Sequence, residues 1–215
     1  MSSPPSPESL YRPSDPCLVI LAGGESRRMG RQKATITLGG ERLIDRVIER
    51  YREKVETILI SGPHDFDTGL DHIADDEQAP RGPAGAIFSI ASQISASRPA
   101  CTGFVTVPVD APFSPTDLIE KLSKNDGCAV AEGPNRLHPT FAYWNCDIVN
   151  AVQSTHDLSG DPPSLHWMTR QCGAQVVSWP QEAGFMNINT PEDLADAEAM
   201  IKKKPADRGN VHRLF

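Results

Sequence analysis

The sequence predicts an α/β domain built on a mostly parallel sheet. Three observations carry that reading. Short β-branched apolar runs recur and stop at glycine or proline, stretches with helical apolar spacing alternate with them, and no linker or internal repeat interrupts the series. An apolar run without polar alternation fits a strand buried on both faces. Strand–helix alternation implies right-handed crossovers between parallel strands.

The first strand is Leu18-Val19-Ile20-Leu21, stopped by Ala22-Gly23-Gly24, and a loop follows from Glu25 to about Gly40. Leu43, Ile44, Val47, Ile48, Tyr51 and Val55 then return every three or four residues. That spacing places them on one face of an amphipathic helix. Thr57-Ile58-Leu59-Ile60 is the second strand, ended by Ser61-Gly62-Pro63, with a short strand at His72-Ile73. Gly82-Pro83 opens a helix carrying Ile87, Phe88, Ile90, Ala91 and Ile94. Gly103 to Val107 is a strand closed by Pro108, and strands are also expected near Cys128-Ala129-Val130 and from Thr140 to Trp144. Ser114-Pro115-Thr116-Asp117 and Thr190-Pro191-Glu192-Asp193 both read as helix starts, with a capping hydroxyl, a proline at the first helical position and acids at the positive end of the dipole. The stretch from Asp157 to Pro163 reads as loop.

At 215 residues with 39% hydrophobic content, the chain can bury one good core. Residues 1–16 carry five prolines and lack the basic start and apolar centre of a secretory signal, so they read as a disordered leader. The folded domain is expected over 17–202 and a loose basic tail over 203–215. The net charge of -7 argues against general electrostatic binding of nucleic acid. No apolar run has the length of a membrane span, so the expected location is the cytoplasm. The five cysteines are widely spaced and contain no C-x-x-C pair, which signals neither a zinc site nor a disulfide framework. They read as reduced, small apolar residues.

In open α/β sheets, ligands bind at the carboxyl ends of the strands. That rule puts Ala22-Gly23-Gly24, Ser61-Gly62 and Pro108-Val109-Asp110 on one edge. The glycines after Ala22 let backbone N–H groups approach an anion, and Arg27, Arg28, Arg31 and Lys33 supply the positive charge a triphosphate needs. The spacing is neither that of a P-loop nor that of a dinucleotide fingerprint. Asp110, at a strand's carboxyl end, suits Mg²⁺, which takes one or two carboxylates together with phosphate oxygens. An aspartate before Pro112 also suits a turn, but a cationic loop on the same edge favours the metal reading. Asp75, ahead of Arg81-Gly82-Pro83, can serve ribose hydroxyls or a metal. His138 reads as structural, and the other five histidines show no metal spacing.

These segments resemble the molybdenum cofactor guanylyltransferase family. The resemblance rests on Leu21-Ala22-Gly23-Gly24 with Arg28-Met29-Gly30 and Lys33, on Arg81-Gly82-Pro83, on Pro108-Val109-Asp110-Ala111-Pro112-Phe113, on His138-Pro139-Thr140 and on Asn187-Ile188-Asn189-Thr190-Pro191-Glu192-Asp193-Leu194. It covers roughly Cys17 to Met200. It implies a single-domain, Rossmann-like, three-layer α/β/α nucleotidyltransferase fold. It also implies Mg²⁺-dependent transfer of GMP from GTP to a molybdopterin-type acceptor, with pyrophosphate released. Partners that insert the cofactor or receive it are implied as well. Carried over by position, Leu21, Ala22, Gly23 and Gly24 line the nucleotide, Arg28 and Lys33 neutralise phosphates, Asp75 lies on the nucleotide, and Asp110 holds Mg²⁺ and GTP. Ser61 stands where the family often has asparagine, and Ser159-Gly160-Asp161-Pro162-Pro163 lacks the arginines often found on the acceptor side. The alternatives are a cytidylyltransferase or other NTP transferase of the same superfamily, and a non-catalytic nucleotide or cofactor carrier. The pairing of Lys33 with Asp110 in one sequence disfavours the carrier.

Overall fold

The apolar runs and helical stretches assemble into nine strands and six helices among the described residues. The computed structural model of the protein describes residues 16–23, 32–74, 82–124, 126–158 and 160–203. The order is β1 (Cys17–Leu21), a 3₁₀ turn (Lys33–Thr35), β2 (Thr37–Leu38), β3 (Glu41–Arg42), α1 (Leu43–Tyr51), β4 (Ile58–Ser61), β5 (His72–Ile73) and α2 (Pro83–Ser97). It continues through β6 (Gly103–Pro108), α3 (Leu118–Leu122), β7 (Ala129–Glu132), β8 (Leu137–Asn145), α4 (Cys146–Thr155) and α5 (Leu165–Gln171). Strand β9 (Gln175–Ser178), a second 3₁₀ turn (Glu182–Phe185) and α6 (Pro191–Lys203) complete it.

The main sheet has seven strands in the order β5-β4-β1-β6-β8-β7-β9. β1 pairs in parallel with β4 and β6, β4 with β5, and β7 with β9. β8 alone runs antiparallel, between β6 and β7. The cause is local: Gly133 N–H donates to the Arg136 carbonyl, closing a tight turn between β7 and β8, and so short a connection permits only antiparallel pairing. The strands through Val130 all run in one direction, as the strand–helix alternation predicts, and β8, which follows that alternation, returns to fill the place between β6 and β7.

The strands β1, β4, β6, β7 and β8 feed both faces. On β1, Leu18 and Ile20 pack with α1 and α3, while Cys17 and Val19 pack with α2, α4 and α5. Two helical layers therefore sandwich the sheet, as a three-layer α/β/α fold requires. Ile44 and Val47 of α1 have no exposed surface, and burial of such side chains contributes roughly 1.5–3 kcal/mol each. A third, smaller cluster joins Ile36, Leu38 and Leu43 to Ile188 and Ala197, so α6 packs onto the β2–β3 hairpin. Gly39 N–H donates to Glu198 of α6 at 2.7 Å, which ties the two further.

Two helix boundaries differ from the sequence expectation. α1 ends at Tyr51, and Val55 is buried from the following loop. α3 starts at Leu118, without a capping bond from Ser114. The Ser114 hydroxyl is used elsewhere: it is fully buried and lies 2.8 Å from the Tyr51 hydroxyl, which binds it and the Pro115 carbonyl. Tertiary contact with α1 outcompetes the local cap. The strand expected over Thr140 to Trp144 is the longer β8, and α4, α5 and β9 had no counterpart in the sequence reading.

Candidate active site

The carboxyl ends of β1, β4 and β6 are laced together by backbone bonds just beyond the strands. Ala22 N–H donates to the Ser61 carbonyl at 2.8 Å, and Val109 N–H donates to the Leu21 carbonyl at 3.1 Å. These bonds leave a cleft of about 460 Å³ whose lining includes Leu21, Ala22, Gly23, Lys33, Ser61 and Asp110. That volume is within the usual range for small-molecule sites. Six of the residues picked from the sequence thus face one space. Gly24, Arg28 and Asp75, together with Arg27 and Arg31, lie outside the described residues.

The floor of the cleft holds an ion pair. Lys33 Nζ donates to Asp110 Oδ2 at 2.5 Å, across 77 positions of sequence. It also donates to Asn189 Oδ1. Asp110 is 7% exposed, and its other oxygen, Oδ1, is buried with no hydrogen-bond partner among the described residues. Leaving a buried acceptor unmet costs about 1–3 kcal/mol, so this oxygen is open to a cation or donor that enters the cleft. Asn187 Oδ1 is buried and unpartnered in the same way, close along the chain to the backbone bond that joins Ile188 N–H to the Asp110 carbonyl at 2.8 Å.

Asn189 is the residue the sequence reading did not single out. It stood within the Asn187-Ile188-Asn189 segment of the resemblance, but no local signal linked it to Lys33, which is 156 positions away. Its position is set by the first turn of α6. Asp193 Oδ2 accepts from the backbone N–H groups of Asn189 and Thr190, at 2.8 and 2.9 Å, and the Thr190 hydroxyl accepts from Asp193 N–H at 3.1 Å. This reciprocal cap satisfies donors that a helix start otherwise leaves open.

The far wall comes from Gly82, Pro83 and Ala86 at the start of α2, with Thr140 and Leu165. Thr140 reaches the cleft because the ladder between β7 and β8 slips, pairing Val130 with Ala142 but Ala131 with His138. The extra residues include Pro139, which has no N–H to give to a ladder. Gly82 has φ 90° and ψ -174°, a conformation open almost only to glycine. Gly82→Ala is expected to destabilise the protein by roughly 1–3 kcal/mol through backbone strain, read as a lower urea midpoint at unchanged slope. Among the described residues, a Cβ there meets only Pro162, at an ordinary 3.6 Å, so crowding by them does not account for the loss.

His138 serves packing. It is buried, stacked on Phe185 with ring centroids 4.4 Å apart, and its Nε2 lies 3.0 Å from Glu182 Oε1. Burial pushes its pKa down, opposed by the Glu182 charge. Among the described residues, no group of three or more His, Cys, Asp or Glu side chains is placed to hold a metal. No helix among them is long and apolar enough to cross a membrane.

Residues 18–182 match the family model for the MobA-like NTP transferase domain. The chain is 36% identical over 192 residues to a molybdenum cofactor guanylyltransferase of Cereibacter sphaeroides, covering 86% of this chain and 96% of that protein. It is 32% identical over 213 residues to one of Rhodopseudomonas palustris, covering 92% and 97%. Among solved structures, it resembles molybdopterin-guanine dinucleotide biosynthesis protein A from Archaeoglobus fulgidus, with a TM-score of 0.67 at 23% identity over 87% of this chain and 99% of that one. It also resembles the 2-C-methyl-D-erythritol 4-phosphate cytidylyltransferase of Thermus thermophilus, with a TM-score of 0.59 at 18% identity over 86% and 98%. At such identities the two structures speak for the fold alone.

Proposed function

Because the chain belongs to the molybdenum cofactor guanylyltransferase family of MobA-like NTP transferases, we propose that it transfers GMP from GTP to the terminal phosphate of the molybdenum-molybdopterin cofactor. The products are the molybdopterin guanine dinucleotide cofactor and pyrophosphate. The observation that carries this reading is the Lys33–Asp110 pair on the floor of a cleft bounded by Leu21, Ala22 and Gly23.

The residues fit a Mg²⁺ requirement. A hard divalent cation of this kind takes one or two carboxylates and completes its shell with phosphate oxygens and water. Asp110 offers one carboxylate with a buried oxygen left unmet. When bound, Mg²⁺ neutralises phosphate charge and orients the reacting groups.

The acceptor's phosphate oxygen is anionic at neutral pH, so in-line attack on the α-phosphorus of GTP needs no strong general base. The difficulty is the crowding of negative charge, which places the demand on positioning and electrostatics. Leu21, Ala22 and Gly23 take the base and ribose side, with Gly24, Ser61 and Asp75 completing the nucleotide contacts. Lys33 sets its positive charge against the phosphates, a role that Arg28 shares by its place in the sequence motif. Asn189 holds the Lys33 ammonium as the lysine's share of Asp110 is given up. The protein thereby keeps its cation aimed at the triphosphate and spends little reorganisation at the moment of reaction.

The test is product analysis after mixing protein, GTP, Mg²⁺ and molybdopterin-type acceptor, with ATP, CTP and UTP in parallel. GTP-dependent formation of the guanine dinucleotide product with matching pyrophosphate is expected. Preference for CTP moves the chain to cytidylyl transfer, and nucleotide binding without pyrophosphate release makes it a carrier.

Asp193 is a positioning residue in this scheme. Asp193→Ala frees Asn189 and is expected to lower kcat roughly 10-fold with little change in KM for GTP. Asp193→Asn, which retains an acceptor oxygen, is expected to recover part of the loss. The Asn189 N–H, with that of Thr190, holds the Asp193 carboxyl below its ordinary range. The cap is therefore complete above that range and is lost as pH falls through the lowered value. A steady-state profile in which kcat is insensitive to Asp193 removes this role.

A further inference from the structure

The cysteine spacing signals no disulfide framework, yet the fold gathers all five cysteines on the sheet face covered by α2, α4 and α5. All are free and buried. Two of them touch across 84 positions of sequence: Cys17 Sγ, at the first residue of β1, lies 2.9 Å from Cys101 Sγ, in the turn that enters β6. Cys101 Sγ is also 3.1 Å from the Gly103 carbonyl. A short hydrogen-bonded relay follows, with Cys17 S–H donating to the Cys101 sulfur and Cys101 S–H donating to Gly103.

We propose that Cys17 and Cys101 are a disulfide-forming pair, oxidised by a hydroperoxide and reduced by a dithiol, that reversibly clips β1 to β6. Cys101 reacts first. It is the more acidic thiol, because Cys17 donates a hydrogen bond to its sulfur and Arg98 lies near, whereas the same bond together with burial pushes Cys17 up. The thiolate is the attacking form. Cys101 is 9% exposed, between exposed Ala100 and Thr102, so a small opening of that turn admits a peroxide while the rest of the cluster stays closed.

The chemistry balances as two steps. The Cys101 thiolate attacks the terminal oxygen of the hydroperoxide, the O–O bond breaks, the hydroxyl stays on sulfur as a sulfenic acid, and the departing alkoxide or hydroxide takes up the proton that Cys101 released and leaves as alcohol or water. Cys17 sulfur then attacks Cys101 sulfur, the S–O bond breaks, and water carries away the hydroxyl and the Cys17 proton. The two thiols lose two electrons and the peroxide gains them. A dithiol reverses the bond by exchange.

The pair sits at the amino ends of the strands, whereas the cleft lies at the carboxyl ends of β1 and β6. The clip therefore closes a long loop of the unfolded chain without entering the cleft. It does not rest on the proposed reaction.

The test treats the native full-length protein with hydrogen peroxide, blocks remaining thiols, and measures intact mass and disulfide-linked peptides. Loss of two hydrogens, a Cys17–Cys101 linked peptide, reversal by dithiothreitol, and a rise in Tm of roughly 5–10 °C are expected. Cys128 and Cys172 lie in the same buried cluster and serve as the internal control, since a link there is the wrong one. No mass loss in the folded wild-type protein, a linked peptide that joins other cysteines, or an oxidised form that persists in Cys101→Ser each overturns the proposal. Wild-type mapping decides the matter even if the variant fails to fold.

Discussion

Asp110→Ala is expected to reduce guanylyl transfer by at least about a thousandfold while leaving a folded protein. The functional loss is large because Asp110 is a carboxylate lining the cleft, with one oxygen on Lys33 and the other without a partner among the described residues. Removing it takes away the proposed Mg²⁺ ligand and the group that aims Lys33. The structural loss is small for the same reason. Asp110 is 7% exposed and keeps a charge out of water, so its removal also removes a desolvation cost that offsets the lost pairing. Lys33 keeps its bond to Asn189 and a side chain that is 26% exposed. A stability change within about 1–2 kcal/mol is expected, read by urea unfolding beside a pyrophosphate-release assay. Asp110→Asn preserves the shape and removes the charge, and it is expected to be nearly as inactive. A folded Asp110→Ala protein that turns over at the wild-type rate ends the metal assignment.

Lys33→Ala has the opposite balance. It strands the Asp110 carboxylate, buried and without its cation, and leaves Asn189 Oδ1 without the Lys33 bond. Removing one partner of a buried pair costs more than removing the self-burying charge, so the folded state is expected to lose roughly 1–3 kcal/mol, moderated because the cleft opens to water. The transfer reaction is expected to lose about 100- to 1000-fold in kcat/KM, with GTP affinity lowered when followed by calorimetry. Lys33→Arg is expected to rescue little, since a planar guanidinium does not replace a compact ammonium held between Asp110 and Asn189. Unchanged affinity and unchanged rate in Lys33→Ala take the lysine out of the site. The two variants together separate chemistry from folding: Asp110→Ala is inactive and stable, while Lys33→Ala is impaired and destabilised.

The elements that could be read without coordinates are those whose signal is local. β1, β4 and β6 show as apolar runs because both faces of each are covered by helices, so no polar alternation interrupts them. α1 shows because a single stripe faces the core. α4 was missed because β8 runs into it without a break, Asn145 being both the last residue of the strand and the cap that accepts from Ile148 N–H at 3.2 Å. β9 was missed because it is an edge strand, with Gln175, Val176 and Ser178 exposed, so its pattern carries no buried run. Ser114 looked like a cap and is a partner of Tyr51, since a hydroxyl can be claimed by whichever donor or acceptor the fold brings to it.

The amino-acid sequence by itself determined the parallel core strands, the glycine-bearing strand ends and the rule that a ligand sits beyond them, because these depend on backbone freedom and on which faces are apolar. Only the tertiary structure decided that β8 turns back beside β6, that Asn189 joins Lys33 across 156 positions, and that Cys17 meets Cys101. Those contacts are set by where distant segments cross, and a hydrogen bond between remote residues leaves no periodic trace in the chain that makes it.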